Sequence, residues 1–166
     1  MCSIKKKNKK GITLVELVAV LAVLAVVGTL AGTLIYTMSM QYKNVMQVNV
    51  AKRSINTMMI QIETELRYTD SACINTDTAG THTLYSADGK IYKDGAELYT
   101  EPGFYGGLQY FVTWSVTGTS TVQVEIAARD SGGKSVFSNS SAVKLLNVSS
   151  VAATGAAAEN NVLHYS

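Results

Sequence analysis

Apolar residues crowd the start of this chain and then become periodic. From Ile12 to Ile35 the run is nearly unbroken, broken mainly by Glu16, Gly28, Thr29, Gly32 and Thr33. About 24 residues make ~36 Å of helix, enough to cross a hydrocarbon core. Beyond it, Val45, Val48, Ala51, Ile55, Met59, Ile62 and Leu66 recur at spacings of three and four, the pattern of one helical face. No proline occurs before Pro102, so the simplest reading is one helix from about Thr13 to about Tyr68. A separate soluble helix after a break near Tyr36 to Gln41 is the alternative.

After residue 70 the period falls to two. His82 to Ser86 and Lys90 to Lys93 flank Ala87-Asp88-Gly89, a hairpin signal, and Asp94-Gly95 turns the chain again toward Glu97 to Thr100. Leu108, Tyr110, Val112, Trp114 and Val116 alternate with more polar neighbours, as do Val122, Val124, Ile126 and Ala128. Asp130 to Gly133 is a turn, and Ser135 to Leu146 completes a meander. One apolar face of such a sheet needs cover, which the second half of the helix supplies. The fold class is therefore α+β: a long N-terminal helix, half transmembrane and half amphipathic, packed on an antiparallel β-sheet. The expected segments are 12–36 (membrane), 37–69 (amphipathic helix), 70–147 (sheet) and 148–166, an Ala-, Ser- and Asn-rich mobile tail. An additional edge strand at Val162 to Tyr165 is the alternative for that tail.

Charge sharpens the picture at the N-terminus. Lys5, Lys6, Lys7, Lys9 and Lys10 precede the apolar run, which predicts a cytoplasmic N-terminus and an exported C-terminal domain. A secretory signal peptide shares these features, but the apolar run is too long and no clear cleavage site follows it. Neither that nor a plain signal anchor explains Glu16, whose ionised carboxylate costs at least a few kcal/mol in a membrane unless partnered.

The sequence Lys9-Lys10-Gly11, Ile12, Thr13-Leu14-Val15-Glu16 followed by a long apolar helix resembles the type IV pilin family. That family includes competence pilins and type II secretion pseudopilins. The resemblance implies that a prepilin peptidase cuts after Gly11, making 1–11 a cleaved leader, and N-methylates Ile12. The usual residue at that position is Phe, so Ile12 is a departure that bears on methylation. The resemblance also implies that Glu16 pairs with the amino terminus of a neighbouring subunit, as a register key for filament assembly. Subunits lacking this glutamate are suspected filament tips, and this chain has it. Many relatives carry a proline near Thr33. Gly28 and Gly32 are weak helix formers placed to bend the helix or admit a close helix contact. The implied partners are the peptidase, other pilin subunits, the membrane and, indirectly, an assembly platform protein and ATPase. The expected location is a single-pass cytoplasmic membrane protein that joins a cell-surface filament after assembly, serving a pilus-like (fimbrial) or secretion system, with protein secretion or DNA uptake as candidate roles.

Loss of the leader changes the charge balance. Of 14 basic residues 9 remain, against 12 acidic ones, a formal charge of −3 instead of +2. Direct nucleic-acid binding loses its support. Cys2 leaves with the leader, so Cys73 has no intramolecular disulfide partner, and the cysteine-bracketed loop of many major pilins is absent. That absence, the tyrosine-rich strands and a Ser141-to-Asn147 segment resembling the last strand of minor pilins point to a minor pilin or pseudopilin. Catalytic residues, metal and cofactor are expected to be none. His82 and His164 are isolated in sequence, and Gly103 to Gly107 lacks a phosphate-cradling context. Asp70, Asp77, Asp88, Asp94 and Asp130 suit turns, with calcium at one such loop as the lesser reading. Cross-strand packing explains the tyrosines better than an adhesive face. Asn139-Ser-Ser and Asn147-Val-Ser match the glycosylation sequon. From a different class, a membrane-tethered extracellular binding module that does not polymerise fits the same chain.

Overall fold

The structure is a computed structural model that describes residues 13–75, 81–153 and 161–166. The leader and the cleavage positions Gly11 and Ile12 lie outside the described residues, as does Asp77. Among the described residues one helix, α1 (Leu14–Arg67), is followed by nine strands: β1 (Ala72–Ile74), β2 (His82–Ala87), β3 (Lys90–Lys93), β4 (Ala96–Glu97), β5 (Gln109–Gly118), β6 (Thr121–Arg129), β7 (Ser135–Lys144), β8 (Ala152–Ala153) and β9 (Leu163–Tyr165). The chain divides into two compact units, one up to Lys43 and one from Asn44. The α+β expectation holds, and α1 is continuous, without the alternative break near Tyr36 to Gln41.

In the second unit α1 buries Ala51, Ser54, Ile55, Met58, Met59, Ile62 and Leu66. Five of the seven expected face residues are among them, whereas Val45 and Val48 are not buried. The sheet is not one meander but two sheets. One is six-stranded and mixed, in the order β4-β3-β2-β9-β1-β8, with β1 and β8 parallel. The other is three-stranded and antiparallel, β5-β6-β7. Alternation decides what β5 and β6 bury: Tyr110, Val112 and Trp114 pack inward with Val122, Val124, Ile126 and Ala128.

The β2–β3 hairpin needs its glycine twice over. Asp88 and Gly89 both have positive φ (50° and 72°), as a two-residue type I′ turn demands. A Cβ on Gly89 would also meet Gln109 of β5. The approach is close because the two sheets are joined along β5. The Tyr110 N–H donates to Gly89 O at 2.8 Å and the Val112 N–H to Ser86 Oγ at 3.0 Å. The Trp114 N–H donates to Asn161 Oδ1 at 2.9 Å, and Asn161 Nδ2 donates back to Trp114 O at 2.7 Å. The buried amide of Asn161 thus copies the pairing of a neighbouring strand residue.

The C-terminal segment departs most from expectation. Instead of a mobile tail or an edge strand, 163–165 form an interior strand between β1 and β2. Leu163 and Tyr165 are buried, and the Ser166 N–H donates to Ser71 O while Asp70 N–H donates to Ser166 O. Residues 154–160 of the expected tail lie outside the described residues. The expected strand over 97–100 shrinks to β4, and the following loop straps across α1. There the Ser54 hydroxyl donates to Phe104 O (2.7 Å), Tyr99 Oη donates to Gln61 Oε1 (2.6 Å), and Gly106 abuts Val50.

Candidate functional site: the N-terminal apolar helix

The first unit begins with a helix cap. The Glu16 N–H donates to Thr13 Oγ1 at 3.3 Å and the Leu17 N–H to Thr13 O at 3.1 Å. Thr13 is therefore the N-cap and Glu16 the third helical residue, the Thr-x-x-Glu spacing of a capping box. Sequence reasoning assigned Glu16 a role but missed that of Thr13, although Thr-x-x-Glu before an apolar run is a readable helix-start signal. An acid in the first turn also suits the positive end of the helix.

Every large hydrophobic side chain from Leu14 to Ile35 is more than half exposed. Among the described residues, α1 is the one helix long and apolar enough to cross a membrane. The hydroxyls along this segment have partners within the helix. Thr29 Oγ1 donates to Val26 O and Thr33 Oγ1 to Leu30 O, both at 2.8 Å, and Thr37 Oγ1 reaches Thr33 O and Leu34 O at 3.0 Å. Such back-bonding removes most of the penalty of carrying threonine in an apolar medium. Glu16 is different: no described residue forms an ion pair or hydrogen bond with its carboxylate. A Cβ on Gly28 or Gly32 would meet nothing within 4 Å, so the helix surface is bare at both.

The remaining sequence candidates sit in the second unit. His82 Nδ1 pairs with Asp94 Oδ2 at 2.8 Å, and Asp94 Oδ1 accepts the Thr83 N–H at 2.7 Å. Burial raises the Asp94 pKa, and the Thr83 and His82 hydrogen bonds outweigh it, leaving the carboxyl below its ordinary range. His164 lies on β9 opposite Cys73, which is buried. Asp88 and Asp94 hold left-handed turn positions, and Asp130 Oδ1 accepts the N–H groups of Gly132 and Lys134. Among the described residues no three His, Cys, Asp or Glu side chains gather as a metal site. Of the two sequons, Asn147 uses its amide on Tyr68 O and Asp70 Oδ1.

A polar cluster that sequence did not reveal centres on Glu65. Its Oε2 accepts from Lys93 Nζ and Tyr165 Oη, both at 2.8 Å, and Oε1 accepts from Gln61 Nε2 at 3.3 Å. Burial raises the Glu65 pKa, but the bonds from Lys93, Tyr165 and Gln61 hold it below its ordinary value. Burial, and then the phenol's bond to the Glu65 carboxylate, push Tyr165 up. Burial likewise pushes Tyr99 up to about 12. The cluster ties α1 to β3 and β9.

With this geometry in place, the chain can be compared with known proteins. Residues 6–32 match the family model described as the prokaryotic N-terminal methylation motif. The chain therefore carries a type IV pilin-like N-terminal signal. No curated protein and no solved structure matches it.

Proposed function

We propose that this chain is a structural, non-enzymatic subunit of a type IV pilus-like or type II secretion-like filament, of the minor pilin or pseudopilin kind. Prepilin peptidase cuts after Gly11 and methylates Ile12, and residues 12–36 hold the subunit in the membrane until it is extracted by an assembly platform and its ATPase. The lysine head keeps the N-terminus cytoplasmic and the β-sheet unit is exported. In the filament the apolar helices pack together, aided by close approach at Gly28 and Gly32. The new amino terminus of one subunit pairs with Glu16 of another, which offsets the desolvation of both charges.

The observation that carries this reading is the coincidence of the methylation motif over 6–32 with an exposed apolar helix holding one carboxylate that has no partner among the described residues. N-terminal sequencing and intact mass of the protein from its host test the first half. A mature chain beginning at Ile12 is expected. A full-length chain, or a terminus near Val27, sinks the proposal and favours the tethered binding module. For the second half, Glu16→Gln is expected to leave cleavage intact while sharply reducing the subunit's share of sheared filaments. Unchanged incorporation would refute the pairing.

A further inference from the structure

The three-stranded sheet has two edges, and they are treated differently. The edge of β5 is closed by the other sheet, since Tyr110, Val112 and Trp114 direct their backbone groups to Gly89, Ser86 and Asn161. Those bonds also fix the parity of the whole ladder. Even residues of β5 point away from β6, so the odd ones bond to β6, and even residues of β6 bond to Phe137, Asn139, Ser141 and Val143. Even residues of β7 therefore point their N–H and C=O groups outward. Leu146 agrees with this parity, because its N–H leaves the sheet for Arg67 O.

From Val136 to Lys144 no described residue bonds to that outer edge. It is regular after the shift near Arg129, has no proline, and carries no charge before Lys144. Edge strands are usually guarded by such features. Here the outward-bonding positions Ser138, Ser140 and Ala142 carry small, exposed side chains.

We infer that this edge pairs with the β7 edge of a second copy of the chain, antiparallel, about a two-fold axis at Ser140. Side-chain matching selects the register. Centred on Ser140, Ser138 meets the partner copy's position 142 (Ala) and Ser140 meets itself on the outer face. On the inner face half-buried Phe137 meets position 143 (Val), and Asn139 meets position 141 (Ser). Lys144 falls opposite position 136 (Val). Shifting the centre one way sets Lys134 against Lys144 and Phe137 against serine; shifting it the other sets Asn139 against valine. Of the three, the Ser140 register alone sets both Phe137 against valine and Asn139 against serine while keeping the lysines apart, with Lys144 at the end of the ladder. It makes about ten main-chain hydrogen bonds and ends before Leu146. Beside the axis, Asn139 Nδ2 donates to Asn56 Oδ1 at 3.4 Å, and Ile60, one helical turn further, is 67% exposed. A large apolar side chain is thus free where a second copy would sit. Being isologous, the contact is distinct from head-to-tail filament packing and does not rest on that reading.

The test uses the full chain purified in detergent, in a Cys2→Ser background with buried Cys73 retained. Residue 140 faces its own copy at about 5.5 Å between Cα atoms, within disulfide reach. Mild oxidation of Ser140→Cys is therefore expected to give about tenfold more covalent dimer than the background or Ser138→Cys alone. Ser138→Cys/Ala142→Cys should cross-link as well as Ser140→Cys does. Ser140→Pro removes an outward N–H and leaves the ladder to β6 intact, so it should abolish the non-covalent dimer without changing the thermal unfolding of the chain. Background-level dimer from Ser140→Cys, equal cross-linking at 138 and 140, or a dimer that survives Ser140→Pro would each overturn the inference.

Discussion

Asn161 is where removing a single side chain should do most damage to the second unit. Its amide occupies both backbone groups of Trp114 at 2.9 Å and 2.7 Å, and both residues are buried. Asn161→Ala strands a donor and an acceptor in a site that water does not reach. Each stranded group costs about 1–3 kcal/mol, so the expected loss is about 2–6 kcal/mol. Domain stabilities run at about 5–15 kcal/mol, so this is a large fraction of the total. Trp114 is the chain's only tryptophan, which puts a fluorescent reporter at the damaged bond. Equilibrium urea unfolding of the full chain in detergent, followed by that fluorescence, reads the change. Gln123→Ala, on the outer face of β6, should stay within about 0.5 kcal/mol of the parent chain. If Asn161→Ala is equally mild, the amide is not a principal joint between the sheets, and the bonds from Tyr110 to Gly89 and from Val112 to Ser86 carry that role.

Gly106 has φ of +57° and its added Cβ would drive into Val50, so Gly106→Ala should destabilise the unit by about 2–3 kcal/mol in the same unfolding assay. Val50→Ala should recover the steric part of that loss and leave the part due to φ. Since the Glu65 carboxyl is held below its ordinary 4.5, its contribution is present above that pH and is lost as pH falls through the lower folded value. Glu65→Gln should therefore lower stability at neutral pH and flatten the acid limb of a stability–pH profile below about pH 4.5. An acid limb identical to that of the parent chain would show that Lys93 and Tyr165 do not hold the carboxylate.

What was legible in the sequence was what local pattern determines. The three-and-four spacing marks the buried stripe of α1, and period-two alternation marks β5 and β6, because each element meets its core through one face. Asp88-Gly89 announces its turn because few other pairs accept two positive φ values. The division into two sheets was not legible. It depends on Ser86, Asn161 and the Gly89 carbonyl reaching β5 from distant positions, and nothing near any of them advertises the pairing. The last strand was hidden for a related reason. Three residues are too few to show a period, and their place is set by the edges that β1 and β2 present on both sides, which puts Leu163 and Tyr165 into the core.

On the proposed filament reading, one residue of the helix suits the assembly role better than the others. Between Leu14 and Ile35 the polar side chains are Glu16, Thr29 and Thr33. The two threonines are already satisfied by carbonyls of their own helix, so a change from lipid to protein surroundings alters little for them. The backbone N–H of Glu16 is satisfied by Thr13, which leaves its carboxylate as the group with no partner among the described residues. A ligand or neighbour shifts an equilibrium only through a group whose interaction differs between the two states. In this segment that group is Glu16. Cleavage at Gly11 would create the complementary charge on Ile12, four residues away along the same chain. The same argument predicts that Thr29→Val and Thr33→Val leave incorporation into filaments nearly unchanged while Glu16→Gln does not. A threonine variant as defective as Glu16→Gln would mean that helix contacts, and not the charge, set the register.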